Sequence, residues 1–428
     1  MMSLFSGARV IDPCQGLDDI SDILVKDGKV AAIGRDLASA LGRGVEKVDL
    51  RGYAVVPGLI DPHVHFRDPG QEHKETVISG CASAAAGGYT SVIAMANTSP
   101  AVDSVETLNY VLEKGKGSPV RFCSVGSVTL GLKGEVLSPM GSLAEAGAVA
   151  FSDDGFSIVD SEVMYRAFEK AAELGLPISV HCEDPRLWGD RTMNRGALSD
   201  ALKVKGVPKV AEEAMIQRDI LLASKTKARV HIQHVSTALG VEMIRRAKED
   251  GIEVTAEATP HHLILTEEVL SVHGSQAKMS PPLREVRDVE ALREGLRLGI
   301  IDVIATDHAP HSEEEKGRGL LESPNGIVGL ETAVPMILTE LVGKGHLSIN
   351  RMVEAMSCAS AGIFGLPGGS LRPGCVADMT VLDLEARWTI DADRFESKGR
   401  NTPFDGAPVV GAVIGTVLGG LMQPVANK

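Results

Sequence analysis

None of the six cysteines (Cys14, Cys81, Cys123, Cys182, Cys358, Cys375) belongs to a CxxC pair. A chain of 428 residues needs no disulfide staples, so buried, reduced thiols in a cytoplasmic protein are the expected reading. Positive charge is also in short supply. Lys+Arg 43 against Asp+Glu 57 leaves −14, which gives a nucleic-acid or anionic-membrane surface poor electrostatic support. A few local cations can still capture an anionic substrate. The opening Met-Met-Ser-Leu-Phe-Ser-Gly shows no basic stretch followed by an apolar one, so no secretory signal is expected. The uncharged run Gly406 to Met422 approaches membrane-spanning length but holds five glycines, a proline and a threonine, and reads as short strands joined by turns.

The composition is that of a globular chain. Hydrophobic residues at 44% and charged residues at 23% exclude disorder and collagen-like structure and leave ample material for a core. At roughly 150 residues per domain the length allows about three domains, or one large barrel with a smaller partner. Ser21–Lys26 and Lys29–Gly34 flank Asp27-Gly28, a two-residue hairpin signal. After Val56-Pro57-Gly58 short apolar runs alternate with helix-like segments. Eight strand candidates follow: Leu59–Phe66, Thr90–Ala94, Val120–Val125, Ala148–Ser152, Ile178–Cys182, Val230–Val235, Glu253–Ala258 and Val303–Thr306. Between them lie helical stretches such as Ser161–Leu174, Ala211–Ala223 and Val241–Glu249.

Eight alternating units over about 250 residues match a parallel (β/α)8 barrel of the TIM type. A doubly wound open sheet is the competitor, but no Gly-rich phosphate turn follows the first strand. Glycine and proline become dense at Gly365-Leu366-Pro367-Gly368-Gly369, and Val376–Asp383 and Val409–Leu418 read as further strands. The expected architecture is α/β: a barrel over 57–365, and a small β-sandwich-like domain assembled from 1–56 and 366–428.

The strongest chemical signal is Asp61-Pro62-His63-Val64-His65-Phe66-Arg67. Side chains two apart on a strand point the same way, so His63 and His65 can share one metal. Barrel active sites lie where strands end, and other strand ends repeat the pattern. The fourth closes with Phe151-Ser152-Asp153-Asp154-Gly155, the fifth with Val180-His181-Cys182, the sixth with His231-Ile232-Gln233-His234 and the eighth with Ala305-Thr306-Asp307-His308. Four histidines and two carboxylates exceed one open tetrahedral site but suit two metals sharing a bridging carboxylate. Such a pair holds a water and lowers its pKa toward neutrality, and a neighbouring carboxylate can shuttle the proton to a leaving nitrogen. Asp307 is the candidate for that shuttle. Adjacent side chains on a strand face opposite ways, so only one of Asp153 and Asp154 should reach the metals.

These residues carry a family resemblance. The HxH strand, the strand-end histidines and the final Asp resemble the amidohydrolase superfamily. Within it, the run from Gly58 to Gly70 is closely similar to dihydroorotases of the class I type. Met95-Ala96-Asn97-Thr98-Ser99-Pro100, the Phe151–Gly155 run, Pro281-Pro282-Leu283-Arg284 and Ala305–His311 support it. The resemblance implies reversible cyclisation of N-carbamoyl-L-aspartate to (S)-dihydroorotate in pyrimidine synthesis. It further implies two zinc ions per chain, one on His63, His65 and Asp307, the other on His181 and His234, bridged by Asp153 and a hydroxide. Choosing Asp153 over Asp154 rests on the resemblance. Hydantoinase-like and allantoinase-like relatives usually bridge their metals with a carboxylated lysine; the chain has no lysine between Gly134 and Glu169, which favours the aspartate-bridged type.

The substrate is anionic, and a guanidinium fork suits its carboxylate. Arg67, Asn97 and His311 fill the family's substrate positions, and Ser280 stands where dihydroorotases commonly place asparagine before Pro-Pro-Leu-Arg. His73, His231, His261, His262, His273 and His346 read as structural or surface groups, with His262 nearest to an exception because it follows the seventh strand. His308 reads as packing or as support for its neighbour Asp307. Glu313-Glu314-Glu315-Lys316 reads as a solvated face opening Pro310–Gly326, a segment expected to act as a mobile lid. Two other readings compete: a hydantoinase- or allantoinase-like cyclic amidase, and a non-catalytic partner of aspartate transcarbamoylase. An active enzyme that also associates with the transcarbamoylase, or a homodimer, is compatible with the residues.

Overall fold

Asp27 and Gly28 both adopt left-handed backbone (φ 51 and 76), and Lys26 pairs with Lys29 across them, so the hairpin forms where the dipeptide predicts. The computed structural model describes residues 2–40 and 45–425. The hairpin belongs to an eight-stranded sheet drawn from both chain ends. Its path runs from Leu421–Pro424 through Pro408–Leu418, Met379–Thr389, Ala54–Pro57, Met2–Asp12 and Leu17–Lys26 to Lys29–Gly34, with Glu46–Asp49 also pairing with Met2–Asp12. Pro408–Leu418 and Leu421–Pro424 turn through Gly419-Gly420, so the uncharged stretch is a hairpin. Among the described residues no helix is long and apolar enough to cross a membrane.

The central region is a (β/α)8 barrel. Leu59–Val64, Tyr89–Ala94 and Arg121–Ser124 pair in parallel, as do Ile178–Val180, Val230–Ile232, Val254–Ala258 and Val303–Ile304. The fourth expected strand, Ala148–Ser152, is reduced to Phe151, which bridges in parallel to Gly126 on one side and Ile178 on the other. A parallel bridge between Val64 and His308 closes the ring, and His65 N donates to His308 O at 2.9 Å.

The helices follow local rules. Asp160 caps Ser161–Leu174 by accepting from the amides of Glu162 and Val163, and Gly175 ends it in left-handed conformation (φ 67). Thr237 caps Ala238–Glu249 by accepting from Gly240 N. Met164, Ala167, Phe168 and Ala171, at helical spacing, bury one face of the first of these helices. Leu59, Ile93, Phe151 and Ile232 are fully buried inside the barrel; each such side chain contributes about 1.5–3 kcal/mol by leaving water. The strands therefore present their C-terminal ends, and the polar residues there, around one mouth.

Candidate metal centre

Period-two geometry at the end of Leu59–Val64 sends His63 and His65 into the same space, and both are buried. Their Nε2 atoms lie 3.5 and 3.3 Å from Asp154 Oδ2. Asp307 Oδ1 lies 3.5 Å from His63 Nε2 and 2.9 Å from His65 Nε2. On the other side, His181 Nδ1 and His234 Nε2 lie 3.5 and 3.4 Å from Asp154 Oδ1, and 2.9 Å from each other. One carboxylate thus faces two pairs of imidazoles, one pair on each oxygen. Potential ligand atoms of His63, His65 and Asp154, and of Asp154, His181 and His234, lie within 4.8 Å of one another.

The carboxylate that the structure brings between the histidines is Asp154, not the expected Asp153. The Asp153 carboxylate turns away from the histidines and accepts from Val128 N (2.7 Å), Thr129 N (3.1 Å) and the Thr129 hydroxyl. Among the described residues the fourth strand is reduced to a bridge at Phe151, and the two aspartates follow it outside regular structure. There the Asp154 amide donates to Ser152 Oγ at 3.1 Å, and the Asp154 side chain, not that of Asp153, enters the barrel mouth. Burial pushes the Asp153 carboxyl up to about 6 against the pull of its Thr129 and Val128 donors. Burial works on Asp154 in the same direction, but the facing His63, His181 and His234 outweigh it and hold this carboxyl well below the usual carboxylate range.

The donor set fits a divalent ion. His63 Nε2 and Asp154 Oδ1 are buried and have no hydrogen-bond partner among the described residues, as expected of atoms that face a cation. The second nitrogens are oriented from outside. His63 Nδ1 donates to Glu257 Oε1 at 2.5 Å, which leaves the Nε2 lone pair turned inward. Glu257 Oε2 accepts from His231 Nε2 at 3.0 Å. His65 Nδ1 donates to Asn97 Oδ1 at 2.8 Å, and Glu183 Oε2 lies 3.2 Å from His181 Nε2. Sequence reasoning missed Glu257 and Glu183; His231, expected as a structural or surface group, is buried and supports Glu257. The available signal was position: Glu257 is on a barrel strand two residues beyond Thr255, hence on the same face, and Thr255 Oγ1 bonds the other nitrogen of His231 at 2.8 Å.

His234 and Asp307 both take positive φ (32 and 49), uncommon for non-glycine residues and typical of functional sites. Asp307 is held down at about 2: His63 and His65 overcome its burial. Its neighbour His308 points elsewhere, taking the amides of Gly329 and Leu330 on Nδ1 at 3.2 and 3.4 Å. His262 is committed to Thr259 Oγ1 and Pro281 O, so it is a packing group. Cys182 is buried beside Asp219.

Above the centre opens a cavity of about 470 Å³ whose lining includes Arg67, Asn97, Ser280 and His311. Arg67 (φ 59) reaches Pro310 O at 3.4 Å and lies 3.5 Å from His311 Nε2, which donates to Asn325 O at 2.8 Å. Asn97 Nδ2 donates to Asp154 O at 3.3 Å. The expected lid is tied down from within. Lys316, read as part of a solvated face, is buried, and its ammonium donates to Pro324 O and Gly326 O at 3.1 and 3.0 Å. Lys278 donates to Leu321 O and Ser323 O at 2.9 and 2.7 Å.

Residues 52–239 match the family described as Dihydro-orotase-like. A dihydroorotase of Geobacter metallireducens is 47% identical over 421 residues, covering 98% of this chain and 99% of that protein. The chain belongs to the dihydroorotase family. A dihydroorotase of Clostridioides difficile is 44% identical over 419 residues, again covering 98% of this chain and 99% of the relative. Among solved structures, L-hydantoinase (dihydropyrimidinase) from Arthrobacter aurescens matches with a TM-score of 0.89 at 30% identity, covering 100% of this chain and 96% of that one. The dihydropyrimidinase of Brevibacillus agri matches at TM-score 0.86 and 26% identity, covering 99% and 95%. As in the rest of the family, this chain is a hydrolase acting on a cyclic amide.

Proposed function

We propose that the chain is a dihydroorotase in the strict sense, interconverting N-carbamoyl-L-aspartate and (S)-dihydroorotate in cytoplasmic pyrimidine synthesis. Two zinc ions per chain would be held here, one by His63, His65 and Asp307, the other by His181 and His234, with the Asp154 carboxylate available to both. The observation that carries this reading is the placement of the two Asp154 oxygens, each facing its own pair of imidazoles. A divalent pair held there supplies Lewis acidity and lowers the pKa of water.

The chain's own residues do the rest. Arg67 binds the carboxylate that open and closed forms share, with Asn97 and His311 beside it. During ring opening the oxygen of water adds to the ring amide carbon, and Asp307 takes the proton. As the carbon–nitrogen bond breaks, Asp307 returns that proton to the departing ureido nitrogen. Glu257 keeps His63 in the tautomer whose Nε2 is free. The Asp154 and Asp307 carboxylates are themselves buried.

The test is a metal-replete preparation assayed on dihydroorotate by loss of ultraviolet absorbance, with hydantoin and allantoin in parallel. Turnover of dihydroorotate alone is expected. Opening of hydantoin with dihydroorotate untouched would overturn the substrate assignment. The absence of lysine between Gly134 and Glu169, together with Arg67 in the cavity, argues against that outcome. Association with aspartate transcarbamoylase is a further part of the proposal, checked by co-purification; a chain that turns over fully alone needs no such partner.

A further inference from the structure

The cavity contains a second guanidinium with no task in the scheme above. Arg191 lines it together with Arg67. Its backbone is left-handed (φ 48), a conformation a non-glycine residue holds only at a cost and one that clusters at functional sites. The guanidinium stacks 3.8 Å over the Trp188 ring and donates from Nη2 to Gly155 O and from Nε to Ser280 Oγ, both at 3.3 Å. Nη1 has no partner among the described residues.

Two neighbours explain what this arrangement is for. Ser280 occupies the position where dihydroorotases commonly carry asparagine, yet its hydroxyl donates to Glu183 Oε2 at 2.5 Å and offers the cavity no hydrogen. Arg191, in contact with that hydroxyl, brings donors of its own. It is also joined to the residues around Arg67. Asn325 Nδ2 donates to Arg191 O at 3.2 Å, and Asn325 O accepts from His311, which adjoins Arg67. On the opposite flank, Gly155, which accepts from Arg191, abuts Asn97: a Cβ there would meet Asn97 Nδ2 at 3.5 Å.

We propose that Arg191 is a carboxylate-binding residue of this pocket, sharing with Arg67 the carboxylate retained through ring opening and closure, in place of the donor that Ser280 does not offer. The inference rests on the dihydroorotase reading. A guanidinium seated over an indole is already ordered, so little freedom is lost when it grips an anion. Because that carboxylate is present in the open form, the closed form and the transition state, the contact stabilises all three alike. Its removal raises KM and leaves kcat.

The test uses metal-replete full-length protein carrying Arg191→Gln or Arg191→Lys. Steady-state kinetics are measured in both directions, alongside calorimetric binding of N-carbamoyl-L-aspartate and metal content. For Arg191→Gln, KM in both directions and Kd rise roughly 10- to 100-fold, kcat stays within about threefold and metal is retained. Arg191→Lys, which keeps the charge and loses the fork, falls between, and adding Ser280→Asn to Arg191→Gln lowers KM again. KM and Kd within twofold of wild type would overturn the proposal. So would a fall in kcat at unchanged KM, or loss of metal, because either would make Arg191 a prop for the Ser280–Glu183–His181 chain. A competent wild type with an unchanged Arg191→Gln sinks this inference alone; a wild type inert towards dihydroorotate sinks the functional reading and this inference together.

Discussion

Replacing Glu257 with glutamine tests how the barrel prepares its metal ligands. Glu257 accepts from two buried imidazoles, His63 Nδ1 at 2.5 Å and His231 Nε2 at 3.0 Å. An amide of the same shape has one accepting oxygen and one NH2 group, so it can serve only one of them. Either His231 faces a donor, or His63 moves its proton to Nε2 and loses the lone pair directed at Asp154 and Asp307. Removing an outer partner of this kind weakens metal binding about 10- to 100-fold, equivalent to about 1.4–2.7 kcal/mol. The assay is chelator competition, together with activity titrated against free zinc. Glu257→Gln should need that much more zinc for half-maximal turnover and recover most of its kcat at saturation. Metal affinity within twofold of wild type would refute the claim that Glu257 sets the His63 tautomer.

Asp307→Asn should bind substrate and cut kcat by about 10²–10⁴-fold in steady-state assays; near-normal turnover would remove it as proton carrier. Burial pushes the Lys316 ammonium down to about 7, so the folded state carries a charge penalty in full below that pH, and the penalty fades as pH rises toward the unfolded value near 10.4. Denaturant titrations should therefore show wild type gaining stability between about pH 7 and 10 relative to Lys316→Met; parallel curves would contradict it. Phe151→Ala should lower stability by about 3–5 kcal/mol in urea unfolding, because this fully buried ring sits on a residue that bridges to Gly126 on one side and Ile178 on the other.

What could be read from the chain follows from which signals are local. The Asp27-Gly28 hairpin and the Ser161–Leu174 helix rest on turn chemistry and caps within a few residues, and both form as expected. His63 and His65 were legible because period two holds along Leu59–Val64. At Asp153 and Asp154 the same rule says that only one side chain reaches the histidines, as the structure has it, but it does not say which. Among the described residues the strand is reduced there to the bridge at Phe151, so which carboxylate enters the mouth is decided by donors from Val128 and Thr129, distant in sequence. Glu257, Glu183 and Arg191 escaped notice for a related reason. A lone charged residue reads as solvated until tertiary structure places an imidazole or an indole against it. Lys316 shows the reverse error: within a run of charge it looks exposed, yet backbone carbonyls of the following turn enclose it.

Whether Asp154 rather than Asp153 holds the metals is settled by the metal content of three preparations purified alike: wild type, Asp154→Ala and Asp153→Ala. Two ions per chain are expected for wild type and for Asp153→Ala, and loss of metal from Asp154→Ala with the fold intact by circular dichroism. Full metal on Asp154→Ala, with depletion in Asp153→Ala instead, would contradict the Asp154 assignment.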